Sequence, residues 1–246
     1  MAKKRKRKNQ GGIWILLLLA VILVVVALTT PIFNIRFVTI TGYQRLAEEE
    51  IRKAANIPPE KNIFLVSTKR IAQQVETLTY VKEAKVKRRI PDKITISVTE
   101  RVETASIKAG GGYAIIDDTG HVLRLALGEE DILCFSGCTV NRAEEGKLLE
   151  LDEEHHLSMY LSVRDNLFAV GLEGKIKTIS IDDIGEIKAV TRGGMQIYLG
   201  TIDDIAYKAE LVGKILGDGY PELNADCGGV LRWTSEGNFS YRQNEN

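Results

Sequence analysis

Cysteine and histidine are scarce, with three of each among 246 residues, so little of the usual nucleophile and metal-ligand repertoire is present. No short Cys-x-x-Cys pair occurs. Cys134-x-x-x-Cys138 leaves two options open: a zinc site with Cys227 and a histidine, or a disulfide in an oxidising exterior. Three cysteines cannot all pair. His155 and His156 are adjacent, and neighbours on a helix point about 100° apart, so a solvated helix face is expected rather than one metal. Gly110-Gly111-Gly112 has neither a following Lys-Ser/Thr nor a βαβ frame, which excludes a phosphate loop and leaves a turn. Asp182-Asp183 and Asp203-Asp204 are sequence neighbours, not a convergent acid and base, and the second pair suits the first turn of a helix. No catalytic, cofactor-binding or metal-binding residue is expected, and the chain is not expected to be an enzyme.

Net charge is lacking too, since Lys+Arg and Asp+Glu both total 33. The balance hides an asymmetry: Lys3, Lys4, Arg5, Lys6, Arg7 and Lys8 crowd the start and leave an acidic body. An acidic body argues against a nucleic-acid partner, which needs basic charge across a folded surface. Between Lys8 and Arg36 there is no ionisable residue, and Ile13 to Leu28 is apolar apart from the indole nitrogen of Trp14. Counted to Phe33 the stretch holds 21 residues, or about 31 Å of helix, which matches a bilayer core. The basic cluster before it predicts a cytoplasmic tail (1–12), a transmembrane helix (13–33) and an extracytoplasmic remainder. A cleaved secretory signal is the rival reading. The exit, Ala27-Leu28-Thr29-Thr30-Pro31, is a poor A-x-A site, so an uncleaved single-pass anchor in the cell membrane is expected. No second such stretch follows, which argues against pores and transporters.

Residues 34–101 carry a β-α-α-β-β pattern. FNIRFVTITG reads as a strand closed by Gly42, and RLAEEEIRKAANI as a helix with Leu46, Ile51, Ala54 and Ala55 on one side. Ile71, Val75 and Leu78 recur at helical spacing in a second helix. Ala84, Val86 and Arg88 alternate before a turn at Pro91-Asp92, and Ile94, Ile96 and Val98 alternate after it. Following a lone apolar helix, this order resembles the POTRA domain of the FtsQ/DivIB family of bacterial division proteins. The matching residues are Val38-x-Ile40-x-Gly42, Asn62-Ile63-Phe64, Val86-x-x-Arg89-x-Pro91 and Val98-x-Glu100-Arg101.

The resemblance continues through Tyr113 to Gly120, similar to the turn that opens the family's β domain (here 102–242, before a tail at 243–246). Strands at Ile176 to Ile181, Ile187 to Thr191 and Met195 to Leu199, parted by Gly185 and Gly193-Gly194, read as a meander. Thr201-x-x-Asp204 reads as the cap of a helix carrying Ile205, Ala209, Val212 and Leu216, and Gly229 to Tyr241 as a strand pair about Glu236-Gly237. The expected fold class is α+β: a transmembrane helix, a POTRA-like βααββ domain and a larger mixed-sheet β domain.

The resemblance implies a non-enzymatic scaffold at the division septum. It implies binding to FtsB/DivIC-like and FtsL-like single-pass proteins, and recruitment or regulation of the septal peptidoglycan synthase. It also places the partner contact on the final strand pair, where Trp233, Ser235, Phe239 and Tyr241 share a face if no bulge intervenes. The same residues suit a core equally well. The alternative is a membrane-tethered enzyme or ligand-binding protein with its site in the β domain. The basic hairpin of Lys82, Lys85, Lys87, Arg88, Arg89 and Lys93 reads first as a solvated strand face with edge-protecting lysines. Contact with anionic lipid, wall polymer or an acidic partner is the sharper option.

Overall fold

In a computed structural model of the chain, residues 10–182, 186–219, 223 and 226–243 are described. Lys3 to Lys8, Asp183 and Gly185 lie outside them. The chain divides into two compact units, residues 1–100 and 101–246.

The apolar run forms α1 (Gln10–Thr29), 20 residues long and apolar all round, with every side chain from Ile13 to Val26 exposed. It is long and apolar enough to cross a membrane. It stops four residues short of the expected Phe33. Pro31 cannot continue the helix, and Pro31–Phe33 form a single 3-10 turn instead. Four carbonyls near its end nevertheless find side-chain partners. Thr29 Oγ1 donates to Val25 O at 2.7 Å and Thr30 Oγ1 to Val26 O at 2.6 Å. Asn62 Nδ2 donates to Ala27 O at 2.8 Å and to Leu28 O at 3.2 Å.

Beyond α1 come β1 (Phe37–Thr41), α2 (Glu48–Ala55), α3 (Thr68–Val75), β2 (Val81–Arg89) and β3 (Lys93–Glu100), the expected βααββ order. The sheet runs β1-β3-β2, with β1 parallel and β2 antiparallel to the central β3. Ile51 and Ala55 from α2, Ile71 and Val75 from α3, and Ile94 and Ile96 from β3 meet in one buried core. Ser67 caps α3 by accepting from the Arg70 amide. Leu78 is not on this helix. α3 ends at Val75, Thr77 Oγ1 turns back to Gln74 O, and Leu78 packs on the core from the turn that follows. Gly42 has φ +86°, and a Cβ there would lie 2.1 Å from the Val98 carbonyl oxygen, so the loop after β1 requires glycine. Glu100 ties the same loop down by accepting from the Arg45 and Leu46 amides, both at 2.9 Å.

The second unit contains β4 (Ala105–Ala109), β5 (Gly112–Ile116), β6 (Val122–Ala126), β7 (Leu133–Ser136), β8 (Val140–Arg142) and β9 (Glu150–Leu151). Then follow α4 (Glu154–Ala169), β10 (Ile176–Ile181), β11 (Ile187–Thr191), β12 (Met195–Gly200), α5 (Ile205–Lys214), β13 (Gly229–Trp233) and β14 (Phe239–Arg242). Nine strands make one mixed sheet in the order β14-β13-β12-β11-β10-β7-β4-β5-β6, and β8 pairs with β9 apart from it. The fold is α+β. Apolar side chains of alternate strand residues, such as Ile187, Ala189, Ile197 and Leu199, form one core with Tyr160, Val163 and Leu167 of α4 and Ala209 and Val212 of α5.

Two local expectations fail. His156 is not solvated: it is 2% exposed, because α4 turns that side toward the core while His155 stays outside. Thr201 does not cap α5 either; Asp204 is the N-cap, in a left-handed conformation, and Thr201 Oγ1 donates to Asp203 instead.

Candidate partner-binding edge

The final strand pair forms one side of the large sheet. β13 lies parallel to β12 along Met195↔Gly229 to Tyr198↔Arg232, and β14 folds back antiparallel through a turn at Thr234 to Gly237. β14 is thus an edge strand among the described residues. Its register pairs Trp233 with Phe239, Arg232 with Ser240, Leu231 with Tyr241 and Val230 with Arg242. The Thr234 amide donates to Asn238 O. Antiparallel alternation then makes Arg232↔Ser240 and Val230↔Arg242 the hydrogen-bonded pairs and turns the peptide groups of Phe239 and Tyr241 toward the open edge. A strand added there would find donors and acceptors in place.

Three of the four expected side chains come together on one face. Trp233 and Phe239 meet with ring centroids 5.1 Å apart at 66°, an edge-to-face arrangement. Tyr241 shares that face but is tied inward: its hydroxyl donates to Gly228 O at 3.1 Å, and the ring fills the space where a Cβ on Gly229 would sit. Ser235 does not join them. It lies exposed in the turn, since the strand ends at Trp233 and alternation stops there.

A further aromatic joins this face from outside the final strand pair. Tyr207 of α5 is 52% exposed and meets Trp233 edge-on at 6.2 Å. Its one legible signal is that it falls off the apolar stripe of Ile205, Ala209 and Val212. Lys208 passes under the same indole at 5.5 Å and donates to Thr201 O at 2.7 Å. Burial pushes its ammonium below the ordinary lysine range, against the pull of Asp203 and Asp204. On the opposite face Arg232 lies over the Tyr198 ring at 3.9 Å and reaches Glu186 at 3.4 Å. The edge therefore offers a half-buried aromatic face on one side and a cation-aromatic pair on the other.

Elsewhere in this unit, no disulfide joins Cys134, Cys138 and Cys227. Among the described residues no cluster of three His, Cys, Asp or Glu side chains is placed to hold a metal. Cys134 lines a groove with Tyr113 and Glu129. Burial, and then the Glu129 charge, raises its thiol pKa, the opposite of what a nucleophile needs. Where the unit begins, Asp117 is fully buried and accepts from Arg101, from the Thr119 hydroxyl and amide at 2.8 Å each, and from the His121 amide at 2.9 Å. This is the work of Arg101 and of the Asp-x-x-Gly turn, and it is structural.

Residues 33–101 match the POTRA domain family, FtsQ-type. The chain is 29% identical to the cell division protein FtsQ of Syntrophotalea carbinolica across 80% of its own length and 68% of that protein. It is 25% identical to the cell division protein DivIB of Clostridium acetobutylicum, with 74% and 73% covered. To DivIB of Clostridium tetani it is 33% identical, over 38% of this chain and 35% of that protein. With an apolar N-terminal helix, a βααββ unit at the matched residues and a mixed-sheet unit after it in sequence, the chain carries an FtsQ-type POTRA domain and is similar over most of its length to the FtsQ and DivIB cell division proteins.

Proposed function

We propose that this protein is a non-enzymatic scaffold of the division machinery, anchored by α1 with its N-terminus in the cytoplasm and both folded units outside. Its place is the division septum. The open edge of β14 receives a strand from an FtsB/DivIC-like single-pass protein, an FtsL-like protein completes the complex, and the assembly recruits or regulates the septal peptidoglycan synthase. The observation that carries this reading is the outer side of β14, unpaired among the described residues, beside the half-buried rings of Trp233 and Phe239. Backbone pairing supplies affinity at such an edge, and the aromatic side chains supply specificity.

The test is capture of the FtsB/DivIC-like and FtsL-like proteins, probed directly, on the detergent-solubilised full chain and on a chain truncated after Asp226. The full chain is expected to retain both partners. The truncated chain, lacking β13 and β14, is expected to lose the FtsB/DivIC-like one, and undiminished capture would overturn the assignment of the edge.

A further inference from the structure

We propose that the end of the POTRA unit nearest α1 is a lipid-binding surface, seated on the leaflet from which α1 emerges and taking anionic headgroups. The inference rests on α1 spanning the bilayer.

The geometry begins at Asn62. Its side chain is bonded at 2.8 Å to the carbonyl of Ala27, a residue inside the apolar window Gly12–Thr29. That bond cannot be made from a domain held clear of the membrane, so the segment following Asn62 sits at interfacial depth. Further contacts tighten the junction. The Ile35 amide donates to Lys61 O at 3.0 Å, and the Phe33 and Phe64 rings meet at 5.3 Å. Asn62 also accepts from the Phe64 amide at 3.0 Å, so one side chain caps the 3-10 turn and the end of α1 together.

The sheet places its own apolar residues at the same end. Phe37 opens β1 and is opposite Lys93, the first residue of β3; the amides of Arg36 and Phe37 both donate to Asp92 O in the β2–β3 turn. The turn that carries Ile90 is therefore level with the exit of α1. Here the exposed large apolar side chains are Ile32 at 57%, Phe37 at 60%, Phe64 at 41%, Leu65 at 57% and Ile90 at 64%. Water is a poor solvent for such a cluster, and the acyl boundary beside an emerging helix is the apolar phase at hand.

Charge agrees with this placement. Arg36, Lys61, Arg89 and Lys93 lie among these residues, against Glu60 and Asp92 in the same loops. Arg88 is instead drawn inward, donating to Ile63 O at 2.9 Å and to Val66 O at 2.6 Å, and so it braces the turn. Exposed apolar side chains with Lys and Arg close by in the same segments suit a phospholipid interface, with stems buried and charges at phosphate level.

The experiment uses the full chain in nanodiscs of phosphatidylcholine, with or without phosphatidylglycerol. The photoreactive residue p-benzoylphenylalanine replaces Phe37, Ile90, Leu19 within α1, or Thr99 at the far end of β3. Lipid adducts at positions 37 and 90 are expected to exceed those at 99 by at least about five-fold. Phosphatidylglycerol is expected to raise them, and Arg89→Glu with Lys93→Glu to abolish that rise. Asn62→Asp, which keeps the acceptor for Phe64 but loses the donor to α1, is expected to lower both yields while Leu19 labelling stays unchanged. Labelling at position 19 with none above background at 37 and 90 overturns the surface and leaves the anchor standing. No labelling at 19 overturns the anchor itself. Protein adducts replacing lipid adducts at 37 and 90 in native membranes would assign the patch to a partner chain and end the proposal.

Discussion

Trp233 and Phe239 are direct cross-strand partners at a non-hydrogen-bonded position of the last two strands, with their rings 5.1 Å apart. Side chains approach closest at such positions, so the pair acts as one aromatic unit beside an unpaired edge. Trp233→Ala or Phe239→Ala is expected to weaken FtsB/DivIC-like partner binding by more than about 1 kcal/mol, with the 34–246 fragment still folded. Titration calorimetry alongside thermal unfolding separates the two effects; unchanged affinity for both variants removes them from the interface.

Tyr241 should behave differently from its two neighbours. Its hydroxyl bond to Gly228 and its packing over Gly229 are internal. Tyr241→Ala is therefore expected to lower stability by about 1–3 kcal/mol, and the same calorimetric comparison would show it as a melting shift.

In the POTRA unit Val75 is fully buried on α3 against β3. Val75→Asp places a carboxylate among hydrocarbon without a partner, at an expected loss of about 3 kcal/mol or more. A 33–101 fragment is expected to fold alone and its Val75→Asp variant to lose cooperative unfolding by circular dichroism; equal melting would mean that this helix face is not the core face.

Acid should loosen the second unit through Asp117. Burial pushes its carboxyl up, but hydrogen bonds from Arg101, the His121 amide and Thr119 outweigh it and hold it below the ordinary carboxylate range. The folded pKa lies below the unfolded one, so this stability is present above about pH 4 and is lost as pH falls through the folded value. Asp117→Asn is expected to reduce stability by about 2–3 kcal/mol at neutral pH and to flatten the acid limb of the stability profile. An acid limb identical to the parent's would show that Asp117 does not drive it.

Topology has its own readout. Lys3 to Lys8 precede the apolar run, so a reporter fused at the C-terminus is expected to be active only outside the cytoplasm, and N-terminal sequencing of the mature protein is expected to begin before α1. A mature N-terminus after Thr30 would instead mean a cleaved signal.

Much of the architecture was legible because it is written in short-range spacing. The uncharged stretch from Lys8 to Arg36, the 3.6 period through Ile71 and Val75, and the alternation at Ile94, Ile96 and Val98 each report one element's own solvent and core sides. Gly42 was legible for the same reason, since a turn's chemistry is local, whereas the Asp117-x-x-Gly120 turn was legible through the family resemblance. Boundaries were harder: Leu78 keeps the helical spacing although α3 has already ended, because a residue packed from a turn can occupy the next position on the same core.

The sequence by itself determined that an apolar helix precedes a βααββ unit and a mixed-sheet unit. Only the tertiary structure decided that β14 lies at the edge, that Ser235 falls in the turn, that Tyr207 joins Trp233, and that His156 is buried. It alone decided that Asn62 reaches back to Ala27, 35 residues earlier. Each of these depends on which distant segments pair or pack, and no local period records a strand's neighbour or the far end of a side chain's hydrogen bond.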